Sequence, residues 1–180
     1  MTIKEIEQIC DKARKKFNIL VPIDDGYELA YQMTGHVRED FNLPKNTVGT
    51  IKKYKESFWI VLSSELSEIQ KKIAIAQLIG VFCLYTPFMN KGKDWDEFLE
   101  EPIELTNEKL LNGLYFAKEI LMPRYLYEPY FCENISITHK VNLRVLSNIF
   151  NVPVELVRER GIDLNMIIPK VPEIKESLNP

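Results

Sequence analysis

The chain has 180 residues, 46% hydrophobic and 27% charged, a composition that suits one domain with a sizeable core. A formal net charge of −3 argues against an overall polyanion-binding surface. Three cysteines (Cys10, Cys83 and Cys132), far apart and without a C-x-x-C pair, argue against a disulfide scaffold or zinc ribbon.

Such cysteines suit buried free thiols in a reducing cytosol. The opening M-T-I-K-E-I-E-Q lacks an apolar signal segment, so a cytoplasmic protein with no membrane partner is expected. Ile3, Ile6, Cys10, Ala13 and Phe17 recur on one face of an N-terminal helix, opposite Lys4, Glu7, Asp11, Lys12 and Lys15. Asp25 with Glu28 reads as a capping box opening a short helix through Leu29, Ala30 and Met33, closed by Gly35. Strand signals follow at residues 36–41, 47–54 and 58–62. K-E-S joins the last two as an antiparallel hairpin, and the apolar run F-W-I-V-L is expected to be covered on both faces.

Residues 73–85, I-A-I-A-Q-L-I-G-V-F-C-L-Y, are apolar on every side when wound as a helix, which predicts a buried central element. The run is shorter than the roughly 20 residues a bilayer requires. Ser67 with Gln70 caps its start and Pro87 marks its stop. Gly80 costs about 1 kcal/mol against alanine in mid-helix, so it points to close approach by a neighbouring backbone.

Residues 86–105 read as an irregular connection whose acids (Asp94, Asp96, Glu97, Glu100, Glu101) form a solvated loop. A third helix is predicted over 107–121. The aromatic stretch 124–133 (Tyr125, Tyr127, Tyr130, Phe131) has few basic neighbours, so core or interface packing is expected rather than base stacking. Over 141–162 two short helices flank a turn at Asn151, Val152 and Pro153, with Pro153 in the first turn of the second helix and Gly161 at its end. The pair looks like a helix-turn-helix, but Glu155 and Glu159 offset Arg158 and Arg160, so nucleic-acid reading is not expected. Residues 1–168 are taken as a single domain and 169–180, with three prolines, as a tail.

The order of these segments resembles the ImmA/IrrE family of bacterial zinc metallopeptidases, known for cutting repressors of mobile elements and stress responses. V-P-I-D-D-G-Y-E-L-A resembles the family's second helix, and G-T-I-K-K-Y with S-F-W-I-V-L-S-S-E-L-S resembles its hairpin and the turn into its active-site helix. K-K-I-A-I-A-Q-L-I-G-V-F-C-L-Y looks like the family's R-R-F-T-I-A-H-E-L-G-H-Y-L-L-H, and F-A-K-E-I-L-M-P like its F-A-A-E-L-L-M-P. L-S-N-I-F-N-V-P-V-E-L-V-R-E-R-G-I is similar to its closing helical pair. The resemblance implies an α+β, zincin-like metallopeptidase fold: a small sheet, a buried central helix and a C-terminal helical pair.

That family's chemistry needs two histidines at i and i+4 on zinc, a glutamate as proton acceptor, and a further glutamate ligand from the following helix. The corresponding positions are Gln77, Val81, Leu78 and Leu110. Valine and leucine offer no lone pair, glutamine is a poor zinc ligand, and Leu78 accepts no proton. The expectation is therefore a degenerate site without metal, cofactor or catalysis, whose former cleft floor has become core. Glu104, Glu108, Cys132 and His139 are potential ligands elsewhere, but no two have helical ligand spacing, and the three cysteines have no histidine near in sequence. The resemblance also implies a groove beside the sheet edge, in which an inactive relative holds a peptide. The leading expectation is a binding module of a phage or other mobile element, its partner a protein such as a repressor. The competing expectations are a peptidase with an atypical ligand set, a DNA-binding regulator acting through 141–161, and an oligomeric scaffold.

Overall fold

The helix that organises the chain runs from Glu68 to Tyr85, and every turn of it from Lys71 to Cys83 is closed in by neighbouring elements. Its ends are those written in the sequence. The Ser67 hydroxyl accepts from the Gln70 amide while the Gln70 side chain accepts from the Ser67 amide at 2.9 Å. At the far end the Thr86 hydroxyl donates to the Phe82 carbonyl at 2.7 Å, and Pro87 then opens a 3-10 turn over Pro87–Asn90.

The computed structural model describes residues 1–44, 47–136 and 140–169. His139 and all but the first residue of the proposed tail lie outside them. In chain order the elements are α1 (Ile3–Phe17), α2 (Gly26–Gln32), β1 (His36–Asp40), β2 (Gly49–Tyr54), β3 (Ser57–Ser63), the long helix α3, α4 (Lys93–Glu97), α5 (Asn107–Leu121), α6 (Arg124–Glu133), α7 (Leu143–Phe150) and α8 (Val154–Asp163). The architecture is mixed α+β. The sheet has the order β1–β3–β2, with β1 parallel and β2 antiparallel to β3.

One face of this sheet presents Ile51, Phe58, Ile60 and Leu62 to the core, all buried. Trp59 and Val61 alternate to the other face and remain half-exposed, so the F-W-I-V-L run is covered on one side only, not both. The side chain of Lys53 also enters the core, where its ammonium donates to the carbonyls of Trp95 (2.5 Å) and Phe98 (2.8 Å). Trp95 anchors the connection after α3 in a ring cluster with Phe82 and Phe88, while the acids around it stay exposed as expected.

Several local readings need correction. Asp25 caps α2 through the Tyr27 amide at 2.9 Å, but Glu28 accepts from Gln32 at 3.3 Å instead of completing a box. Gly35 is not the left-handed residue after α2; Thr34 is, at φ 64°. Gly35 is required for space, because a Cβ there would collide with the Phe58 ring. Gly161 does not end α8 but lies inside it, where a Cβ would meet Ile167 at 2.6 Å and the Tyr127 hydroxyl at 2.9 Å. Pro153 is the N-cap of α8, one residue before the first turn assigned to it. Residues 124–133, read only as an aromatic stretch, form a helix in which Tyr127 and Phe131 are buried and stacked.

Gly80 does mark a close approach. A Cβ there would lie 2.7 Å from the Phe116 Cβ and 2.9 Å from the Gly113 carbonyl, and one on Gly113 would lie 2.6 Å from the Gln77 carbonyl. The two helices therefore touch backbone to backbone, each glycine making room for the other helix. Downstream, F-A-K-E-I-L-M-P ties α1 to α8. Arg14 of α1 donates to the Glu119 carboxylate (2.8 Å) and carbonyl (2.9 Å), and Arg160 of α8 donates to the same carboxylate and to the Met122 carbonyl. On α3, Lys72 holds the end of α7 by donating to the carbonyls of Phe150 (2.9 Å) and Asn151 (3.1 Å).

Gly113→Ala is expected to destabilise the fold by about 1–3 kcal/mol, because overpacking outweighs the gain in helix propensity. Urea unfolding measures this, and Gly92→Ala, with only one atom within 4 Å of the added methyl, is the control expected to cost less. Burial pushes the Lys72 ammonium down from 10.5 to about 8, against the opposing pull of Asp24 and Asp25. Above that value the folded chain releases a proton that the unfolded chain keeps up to 10.5, so this group's contribution to stability rises with pH across the window. The stability difference between wild type and Lys72→Met is expected to move in favour of wild type over that range. A difference independent of pH would contradict this.

Candidate functional site

The four positions singled out in the sequence fall at or beside the crossing of α3 and α5. Gln77 and Val81, one turn apart on α3, face α5. The Gln77 amide nitrogen donates to the Leu110 carbonyl at 2.8 Å. Val81 is fully buried, its Cγ2 2.8 Å from the place a Cβ on Gly113 would occupy. Leu78 is 3% exposed and turns to the sheet, its Cδ1 3.1 Å from a Cβ built on Gly49. The structure thus brings Gln77, Val81 and Leu110 together and sends Leu78 towards β2.

Chemically this is one amide tied to a backbone carbonyl among aliphatic groups. None of the four side chains Gln77, Leu78, Val81 and Leu110 carries an acidic or basic group. Glu104, ahead of α5, and Glu108, in its first turn, are exposed, and Cys132 is exposed on α6. That exposure corrects the expectation of three buried thiols, since only Cys10 and Cys83 are enclosed. Burial pushes the thiols of Cys10 and Cys83 up, which keeps them protonated and poor nucleophiles. Among the described residues, no group of three or more histidine, cysteine or acidic side chains is arranged to hold a metal ion.

Next to the crossing, two shallow cavities flank Tyr85, whose hydroxyl accepts from the Asn112 amide at 2.5 Å. One, about 550 Å³, lies between α1 (Glu5, Ile9, Lys12) and Glu108. The other, about 400 Å³, lies between Lys109 and the segment from Glu97 to Glu104. The same segment runs along the outer edge of β2. Ile103 donates to the Ile51 carbonyl at 2.9 Å, Pro102 pairs with Lys52, and the Glu100 carboxylate accepts from the Lys55 amide at 2.8 Å. A peptide groove along this edge is therefore partly filled by the chain itself, and β1 is the other edge strand.

The C-terminal pair also differs from expectation. Arg158 is exposed, but Arg160 is 2% exposed and committed to Glu119, so it is not a surface cation. Nothing in the local sequence distinguished the two arginines, because the partner of Arg160 lies 41 residues away on α5.

No protein-family model and no curated protein matches the chain. Among solved structures, the fold is similar to that of a Mycobacterium tuberculosis transcriptional regulator, with a TM-score of 0.57 at 15% identity. The similarity covers 87% of this chain and 46% of that protein, so the chain spans less than half its length.

Proposed function

We propose that the chain is a catalytically silent domain of the ImmA/IrrE type, with a zincin-like fold, that binds a regulatory protein or peptide without cleaving it. The observation that carries this reading is the hydrogen bond from Gln77 to the Leu110 carbonyl. It joins two positions that the resemblance assigns to metal ligands, beside the buried aliphatic side chains of Leu78 and Val81. Reopening a metal site there requires breaking that bond and placing charge in a close-packed apolar region. The order of elements, a hairpin leading into a buried helix and then a helical pair, supports the same family reading.

Partner binding follows by analogy with folds that hold peptides in a groove. The cavities on either side of Tyr85 supply concave surface next to the degenerate positions. The neighbour in fold is described as a transcriptional regulator, which favours a regulatory role over a metabolic one. A repressor or another regulator of a mobile element is the proposed class of partner. DNA binding through α7 and α8 is the weaker reading, because Arg160 is buried and Arg158 sits between Glu155 and Glu159.

The test is zinc content of protein purified without chelators, read beside the quadruple variant Gln77→His, Leu78→Glu, Val81→His, Leu110→Glu. Wild type is expected to hold far less than one zinc per chain, and the folded variant to take up zinc. Stoichiometric zinc in wild type, or peptidase activity of pure wild type, would overturn the proposal. A folded quadruple variant that takes up none would contradict the placement of these four residues.

A further inference from the structure

The half-exposed face of the sheet carries a group of side chains for which the crossing of α3 and α5 has no use. His36, Trp59 and Tyr54 come from three adjacent strands. Their ring centroids lie 5.4 Å (His36–Trp59), 5.3 Å (Trp59–Tyr54) and 6.0 Å (His36–Tyr54) apart. Strand pairing explains the grouping: His36 lies opposite Trp59 across β1 and β3, and Lys52 lies opposite Trp59 across β2 and β3. Arg38 and Lys52 flank the rings from the two outer strands, roughly 10 Å apart across the sheet. Neither makes an ion pair among the described residues. Lys55 adds a third cation, its ammonium 5.4 Å from the centre of the Tyr54 ring, with Glu100 held against its backbone.

The same face carries a groove of about 220 Å³, lined by Arg38, Lys52, Tyr54, Trp59 and Val61. The Trp59 indole N–H is sealed from solvent without an acceptor, a donor left unsatisfied in this structure. Asp40, opposite Ser63 at the far end of the strands, is the acid that shares this face of β1. Arg38, Lys52 and Lys55 thus stand beside the exposed rings, with Asp40, Glu100 and Glu101 as the acids at the edges of the same surface.

We propose that this face binds single-stranded nucleic acid, with a base against Trp59 and Tyr54 and neighbouring phosphates on Arg38 and Lys52. Unstacked bases have flat faces that aromatic side chains on a sheet hold without reading sequence, and cations beside them track the backbone. A duplex hides those faces. An acidic peptide satisfies the cations but gives the ring cluster no planar partner. The site goes beyond the proposed protein-binding role and does not depend on it.

The test is fluorescence anisotropy of a labelled oligothymidylate of about 15 nucleotides, with intrinsic tryptophan emission followed in parallel. Trp95 is buried, so quenching on binding reports Trp59. Binding is expected to weaken with salt, with a log–log slope of roughly −1.4 for two phosphate contacts. Arg38→Glu with Lys52→Glu is expected to weaken binding at least tenfold, and Tyr54→Leu about fivefold or more. Circular dichroism confirms that these surface variants remain folded. Failure to bind the oligonucleotide overturns the proposal, as does equal affinity for duplex or for thymidine monophosphate. Binding by folded Arg38→Glu, Lys52→Glu protein at wild-type strength overturns it too. Equal competition by polyglutamate would show a surface for acidic proteins instead.

Discussion

The separation of α3 and α5 is fixed by two glycines, and most of the molecule takes its position from that contact. With Gly80 set against the Phe116 Cβ and the Gly113 carbonyl, and Gly113 against the Gln77 carbonyl, the helices meet at closest packing. A methyl on either glycine meets backbone, which yields far less readily than the end of a flexible side chain. This contact leaves Gln77 within reach of the Leu110 carbonyl and seals Val81 completely. The close crossing and its lack of polar side chains go together, because Val81 and the Gln77–Leu110 hydrogen bond fill the space between the helices.

Around that axis, buried cations bind distant parts of the chain. Arg14 and Arg160 share Glu119, Lys72 holds the end of α7, and Lys53 holds the end of α4. All four cations reach carbonyl or carboxylate oxygens, as buried charge requires. Burial raises the Glu119 carboxyl above its ordinary value, and its two guanidinium partners act against that rise. The consequence for function is selective. Arg14, Lys53, Lys72 and Arg160 are committed to the interior, whereas Arg38 and Lys52 on the outer face of the sheet are left to solvent or a ligand.

Features determined by neighbouring residues were legible in the sequence. The capping box of Ser67 and Gln70, the stop at Pro87 and the all-round apolar character of α3 depend on residues a few positions apart, and each forms as read. Gly80 could be assigned a packing role because a mid-helix glycine has no local use. Gly35 and Gly161 were misread because a glycine near a helix end fits both a left-handed turn and a tight contact, and only the facing side chain separates them. The sheet was misread for a related reason. Five consecutive apolar residues suit a doubly covered strand, yet Trp59 and Val61 tolerate half-exposure within a ring cluster that tertiary pairing assembles. At the candidate site, a common position for Gln77, Leu78, Val81 and Leu110 was implied by the resemblance, although Leu78 turns to the sheet. The direct hydrogen bond between helices and the filled edge of β2 were not, since both join segments far apart in sequence.

The account stands on the claim that the meeting of α3 and α5 is closed packing rather than an emptied metal pocket. Anomalous diffraction at the zinc edge from crystals grown in excess zinc tests this most directly. The account predicts an unbroken contact from the Gln77 amide to the Leu110 carbonyl and no anomalous peak between the helices. A peak there, with Gln77 or its neighbours turned onto the ion, would contradict it.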